Sequence, residues 1–336
     1  VRDEVVLLAH GGGGLMTRRL LSEVVLPLLR NPILDRLDDA ACVALDSRDV
    51  AITTDSYVVN PIFFPGGDIG KLAACGTIND LAMQAAEPRF LSLGLILEEG
   101  LPVSDLRRVI RSLAEVVNPL GVRVVTGDTK VVERGKGSGL YINTTGVGMR
   151  RQGMDAHVSQ ARPGDAVLVT GSLGEHGIAV MACREGLRFD SPVESDVAPL
   201  WGLVSALLDA VGDVRCLRDP TRGGLAGALC DIAEASGTCI RIRETALPIR
   251  PAVRGACDML GLDPLNVACE GRAVVVCPMA SADRALSALR SHPLGAGAAL
   301  IGEVVAEPAG MVVLDTAIGG ERIVTLPAGE ELPRIC

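Results

Sequence analysis

The sequence predicts an α+β protein of two domains, built on mixed sheets with helices gathered on one face. Three observations predict it. The chain has 336 residues, 48% of them hydrophobic, enough for two cores. In the first half, strand-length apolar runs and helix-period segments follow one another as strand–strand–helix–strand–helix–strand–strand, not as the regular alternation of a parallel α/β sheet. A polar run, Arg150-Arg151-Gln152-Gly153, and the turn Arg162-Pro163-Gly164-Asp165 then interrupt the apolar pattern and mark a boundary. The expected units are residues 1–155, residues 156–326, and a tail of residues 327–336.

The elements follow in order. His10-Gly11-Gly12-Gly13-Gly14 precedes a helix-period segment from Leu15 to Leu29. Consecutive glycines before a helix either cradle a phosphate with their backbone N–H groups or form a hinge. Gly66-Gly67-Asp68-Ile69-Gly70-Lys71-Leu72 is not a Walker A loop, because Pro65 and Leu72 stand where Gly and Ser or Thr are required. Acids punctuate the apolar runs. Asp39 precedes the run Cys42–Leu45, Asp55 closes the run from Val50, Asn79 and Asp80 sit on a helical pattern from Ile69 to Ala85, and Gly127-Asp128-Thr129-Lys130 ends a strand from Val122. A single such Asp is a cap or a turn; four at strand and helix ends suit Mg²⁺, which takes hard oxygen ligands and bridges phosphates. Pro88–Leu97 and Gly139–Met149 read as strands. Ser104 is the expected cap of a helix that closes near Gly121.

The second half repeats a similar alternation, with strands at 166–170, 238–243, 272–277, 298–305, 311–314 and 322–326, and helices at 175–185, 197–211, 224–235 and 251–260. Arg218-Asp219-Pro220-Thr221-Arg222-Gly223-Gly224 is a helix entry with a hydroxyl and two guanidiniums, suited to an anion or serving as a plain cap. Glu270, between apolar neighbours, is either a carboxyl of raised pKa or a surface turn.

Composition excludes several classes. A net charge of −9 disfavours nucleic acid and anionic membrane as partners, and seven aromatic residues offer no stacking platform. No run reaches the length of a membrane-spanning helix and no targeting segment stands at the start, so a cytoplasmic protein is expected. Ten cysteines contain no C-x-x-C pair, which removes the common zinc and iron–sulfur spacings. Nine read as small core residues. The tenth, Cys336, closes the chain on Pro333-Arg334-Ile335-Cys336, a tail that Pro327, Gly329 and Pro333 keep out of regular structure. It is either an ordinary frayed end or a nucleophile on a tether.

Taken together, these motifs resemble the hydrogenase maturation HypE family, within the ATP-binding superfamily of aminoimidazole ribonucleotide synthetase (PurM), selenophosphate synthetase and thiamine monophosphate kinase. The resemblance rests on the opening glycine loop, Asp39-Ala40-Ala41, Thr54-Asp55-Ser56, Phe64 to Gly70, Asn79-Asp80-Leu81-Ala82-Met83, Gly127 to Val132, Ile142 to Gly146, the Arg218–Gly224 loop and the final Pro-Arg-Ile-Cys. Four consecutive glycines depart from a loop that often carries Ser or Ala.

The resemblance implies a PurM-like fold whose first domain pairs in a homodimer. It implies that Cys336 receives a carbamoyl group from the carbamoyltransferase HypF. ATP then drives dehydration of that S-carboxamide to S-cyanate, and cyanide passes to iron on the HypC–HypD complex for NiFe hydrogenase. It further implies ATP held by Gly11, Gly12, Gly13, Gly14, Asp39, Asp55, Asn79, Asp80, Gly127, Asp128 and Thr129. Mg²⁺ would sit on Asp39, Asp55, Asp80 and Asp128, and Lys130 and Glu270 would act beside Cys336, the Lys as a buried donor. The same scaffold also serves enzymes like PurM or thiamine monophosphate kinase acting on a free metabolite. A non-catalytic, nucleotide-gated carrier is the third reading.

Overall fold

The computed structural model describes residues 5–11, 15–36, 43, 45, 49–187, 192–325 and 334–336. Helical turns α1 (Leu15–Leu20) and α2 (Leu26–Leu29) flank a π-helical segment, Leu21–Val25. Then come β1 (Val50–Tyr57), a short hairpin of β2 (Phe63–Phe64) and β3 (Gly67–Asp68), α3 (Ile69–Met83), β4 (Ala86–Glu98), α4 (Val103–Val117), β5 (Arg123–Val132) and β6 (Leu140–Arg150). The first sheet has the order β1-β6-β4-β5, antiparallel except for β4 beside β5. α3 packs on one face of it, and α4 packs on α3.

Local chemistry explains the helix positions. Asp68 caps α3, accepting from Gly70 N (2.8 Å) and Lys71 N (3.0 Å), which gives the Gly66–Leu72 stretch a structural purpose. A Cβ at Gly70 would collide with the Val109 carbonyl of α4, so only glycine lets the two helices approach this closely. α4 begins one residue before Ser104, with Pro102 at its N-cap and no side-chain cap, so the expected Ser104 cap is absent. Its buried stripe, Leu106, Val109, Ile110, Leu113 and Val117, follows the helical period.

The second unit holds β7 (Asp165–Val169), α5 (Glu175–Glu185), α6 (Trp201–Ala210), β8 (Cys216–Arg218), α7 (Gly224–Ser236), β9 (Cys239–Arg243), α8 (Pro251–Leu260), β10 (Val274–Pro278), α9 (Ala282–Ser291), β11 (Ala299–Val305), β12 (Met311–Asp315) and β13 (Glu321–Val324). Its sheet runs β13-β12-β9-β11-β7-β10-β8, with β12 parallel to β9 and the other pairings antiparallel. Unlike the first sheet it is covered on both faces. Val167, Val169 and Val276 join the core with α7, and Leu168, Val275 and Cys277 join the core with α6 and α9. Strand β8 and helix α9 lie outside the elements read from the sequence. The two units share apolar cores: Ala82 and Met83 of α3 pack with α6, and Ile69 and Leu72 join a core with Ile178 and Val267. No helix among the described residues is long and apolar enough to cross a membrane.

Candidate active site

The pleat of the first sheet decides which expected site residues meet. Asp55 pairs across to Thr144 and then Leu93, on the face that α3 covers; Ser56 pairs to Asn143, Gly94 and Asp128 on the opposite face. Asp55 therefore points at α3, while Asp128 and Lys130 stand on the open face. Lys130 is exposed and, among the described residues, pairs with its neighbour Asp128, Nζ to carboxylate 3.3 Å. The expectation of a buried Lys130 beside Glu270 is thus not met within one chain, because strand alternation puts the sheet between them. Gly127-Asp128-Thr129-Lys130 also lies inside β5 instead of beyond its end.

On the covered face the acids gather. Thr77, buried on α3, donates to Asp55 (3.1 Å) and shares a hydrogen bond with Thr144 (2.6 Å), while Thr53 donates to Asp80 (2.6 Å). Tyr57 points its hydroxyl at Thr77, and α3 makes room for that hydroxyl at Gly76, where a Cβ would strike it. Burial, then the charges of Asp219 and Asp55, raise Asp80 to about 7. Asp219, in the loop between β8 and α7, is raised too, by burial first. Glu270 is buried and pushed well above the usual carboxylate range by desolvation, then by Asp219, Asp196, Asp55 and Asp80.

Glu270 is held by its backbone. Its N–H donates to Asp196 (3.1 Å), its carbonyl accepts from Asn79 Nδ2 (3.1 Å), and the preceding Cys269 N–H donates to the Pro220 carbonyl (2.9 Å). A Cβ at Gly271 would collide with the Asp196 carbonyl, so this close approach needs glycine. The side chain keeps one buried oxygen, Oε1, without a hydrogen-bond partner. An orphaned, buried carboxyl oxygen on a group that feels the charges of four further acids calls for protons, a cation or an amide.

Asn79 has another task than the one expected. Both its donor contacts go to backbone of the second unit, Ala198 and Glu270, and its Oδ1 accepts from Leu200 N (2.7 Å), so the amide fastens α3 to that unit. The hard oxygens of Asp55, Asp80, Asp219 and Glu270 suit Mg²⁺ in kind. Among the described residues, however, no group of three His, Cys, Asp or Glu side chains converges closely enough to hold an ion as they stand. Asp39 and Gly12, Gly13 and Gly14 lie outside the described residues; Gly11 ends a short 3₁₀ turn, Leu8–Gly11.

The last residues dock along the segment that directly follows β1, the strand that carries Asp55. Val58 N donates to the Cys336 carbonyl (3.2 Å) and Asn60 N to the Arg334 carbonyl (3.2 Å), directly after β1. Buried His176 of α5 makes a 2.7 Å hydrogen bond from Nε2 to the Ile335 carbonyl, and Arg184 Nη2 donates to the Arg334 carbonyl (2.6 Å). Ile335 is buried and Cys336 packs against the core shared by the two units. Asp219, Asp196, His176 and Arg184 were not singled out by sequence reasoning, although Asp219 stood inside a quoted motif.

Comparison with known proteins identifies the family. Residues 37–150 match the N-terminal domain of AIR synthase related proteins and residues 162–315 match their C-terminal domain. The chain is 50% identical over 336 residues to the carbamoyl dehydratase HypE of Azotobacter vinelandii, covering 100% of this chain and 98% of that protein. The chain belongs to the HypE family. A solved HypE in complex with ATP superposes with a TM-score of 0.95 at 47% identity, covering 98% of this chain and 99% of that one. HypE as solved in a HypE–HypF complex superposes at 0.81 with 44% identity, over 94% of this chain and 100% of that one.

Proposed function

We propose that this chain is an ATP-dependent carbamoyl dehydratase acting on its own Cys336, converting an S-carboxamide to S-cyanate. The observation that carries this reading is the docked end of the chain. The last three residues are held by named hydrogen bonds from α5 and from the residues that directly follow β1, the strand that carries Asp55, and buried Glu270 keeps an orphaned oxygen.

Water cannot leave a carboxamide directly, because hydroxide is a poor leaving group. Transfer of the ATP γ-phosphoryl to the carboxamide oxygen turns that oxygen into phosphate; cleavage of the C–O bond, with loss of two N–H protons, leaves the nitrile on sulfur. The atoms balance as ADP, phosphate and the S-cyanate. Glu270 is the group placed to accept an amide proton. Surrounded by the charges of Asp219, Asp196, Asp55 and Asp80 its carboxyl holds a proton; neutralising those charges lowers its proton affinity, so that it can stand as the carboxylate that takes an amide proton. His176, driven down to about 4 by burial, stays neutral at pH 7 and keeps Nε2–H aimed at the Ile335 carbonyl. Mg²⁺ fits the donor chemistry and would be held by Asp55 and Asp80, with Asp39 as a further acid, while Asp128 could serve only an ion on the open face of the sheet; bound at these acids, Mg²⁺ would supply neutralisation of phosphate charge. Gly11, Gly12, Gly13, Gly14, Gly127 and Thr129 complete the proposed nucleotide site.

Asp128 and Lys130 enter this reading through pairing. The first sheet's open face carries Ile52 and Ile96, 69% and 43% exposed, with Asp128 and Lys130 among them, and we assign it to a homodimer. A HypF-type carbamoyltransferase is the proposed donor and a HypC–HypD complex the proposed acceptor, in the cytoplasm. Substitution Cys336→Ser tests the reading: ATP turnover in the presence of HypF and carbamoyl phosphate should be lost. Unchanged turnover by that variant would point instead to an enzyme acting on a free metabolite.

A further inference from the structure

Residues 334–336 lie between the segment 58–60 on one side and α5 on the other. Most of the polar contacts that hold them reach main chain. The Cys336 and Arg334 carbonyls accept from Val58 N and Asn60 N, each at 3.2 Å, so the two segments run antiparallel with the two-residue spacing of an added strand. From the other side, Arg184 Nη2 takes the Arg334 carbonyl at 2.6 Å while its Nε donates to the Asn60 carbonyl at 2.8 Å, clamping both segments. His176 takes the Ile335 carbonyl at 2.7 Å.

His176 is itself fixed. Its Nδ1 contacts the Ser195 hydroxyl at 2.8 Å, Ser195 Oγ accepts from Val197 N at 3.1 Å, and the Phe64 ring stands edge-on with centroids 5.4 Å apart. Since the Ile335 carbonyl only accepts, Nε2 carries the proton and Nδ1 accepts from Ser195. Between the two clamps the Ile335 side chain is 5% exposed, in the core that also holds Val59, Ile178 and Val180.

We infer that this groove is a peptide-binding site, built for an extended segment of the sequence Arg-Ile-Cys, with Arg184 and His176 as its positioning residues and the apolar hole around Ile335 as its selective element. Main-chain hydrogen bonds supply register and the hole supplies sequence preference, the division of labour seen where a strand is added to an edge. Nothing in these contacts requires the segment to be covalently attached, so the groove accepts it in trans. The inference takes from the proposed dehydration only the identity of the occupant; binding is measurable with neither ATP nor a carbamoyl group present.

Two measurements on the full-length chain test it. The first is the rate of iodoacetamide alkylation at Cys336, resolved by peptide mass, with half-buried Cys230 as the internal control. Losing a charged or buried hydrogen bond to the segment should speed Cys336 alkylation about tenfold in Arg184→Ala and in His176→Ala, with Cys230 unchanged. A rise at both cysteines would mean general loosening and would remove the positioning role. The second measurement uses Ile335→Asp, which places a charge in the apolar hole and so empties the groove of its own segment. A fluorescein-labelled Pro-Arg-Ile-Ser peptide should bind this variant saturably, and about tenfold more weakly when Arg184→Ala is added. If Arg184→Ala leaves the Cys336 rate at the wild-type value, or if natively folded Ile335→Asp protein shows no saturable peptide binding, the groove is not a peptide site.

Discussion

At the scale of single residues the account turns on Glu270. Its backbone is tied by Asp196 and Asn79, so the side chain can change without moving the loop. Glu270→Gln keeps the shape and removes the base. Carbamoylation of Cys336 should proceed while dehydration falls at least about 100-fold, the usual weight of a general base. Mass analysis of the modified Cys336 after Mg-ATP checks it, and an unchanged dehydration rate would assign the proton to another group. Asn79→Ala should act differently, through stability. It removes three hydrogen bonds between the units, two of them buried, and takes the Asn79 partner from the Leu200 N–H and from two carbonyls, at a cost of about 2–4 kcal/mol in urea unfolding. The sequence made Glu270 legible because an acid among apolar residues is conspicuous. It left Asp219 obscure, since an Asp before Pro220 reads as a turn, and only the packing of the β8–α7 loop against Cys269 brings it to Glu270.

At the scale of elements, apolar runs and helix periods located both sheets, because burial on one or two faces leaves a direct periodic trace. What they could not give was register. Asp55 and Asp128 look equivalent in the sequence, each at the end of an apolar run, yet cross-strand pairing places them on opposite faces. Helix α9 escaped because Asp283, Arg284 and Arg290 dilute its apolar stripe, and β8 because it is three residues long. The contact of α3 with α4 gives a prediction at this scale. Gly70→Ala drives a methyl into the Val109 carbonyl, and the helices must part; the loss should be about 1–3 kcal/mol or more, read from the urea midpoint. Gly153→Ala, whose added Cβ would meet nothing within 4 Å but whose φ is +77°, should cost only its backbone strain, about 1–2 kcal/mol.

At the scale of the whole molecule, the acid cluster couples stability to pH. Asp80, raised to about 7, and Glu270 and Asp219, raised by burial, hold protons in the folded state that the unfolded chain releases near the ordinary carboxylate range. Such groups contribute stability that is full below about pH 4 and is lost as pH rises through the folded pKa. For the metal-free protein, the urea midpoint should therefore fall between about pH 5 and about pH 8, and Asp80→Asn should flatten that fall. A midpoint that rises over this range would contradict the carboxyl cluster as described. The cluster, the docked end of the chain and the nucleotide motifs converge on one claim, that Cys336 carries the group being dehydrated. The most direct test is the intact mass of the protein after HypF, carbamoyl phosphate and ATP, and then after Mg-ATP alone. The account predicts a gain of about 43 Da on Cys336, followed by a loss of about 18 Da as the bound carboxamide becomes the cyanate. ATP consumption with no adduct on Cys336 would contradict it.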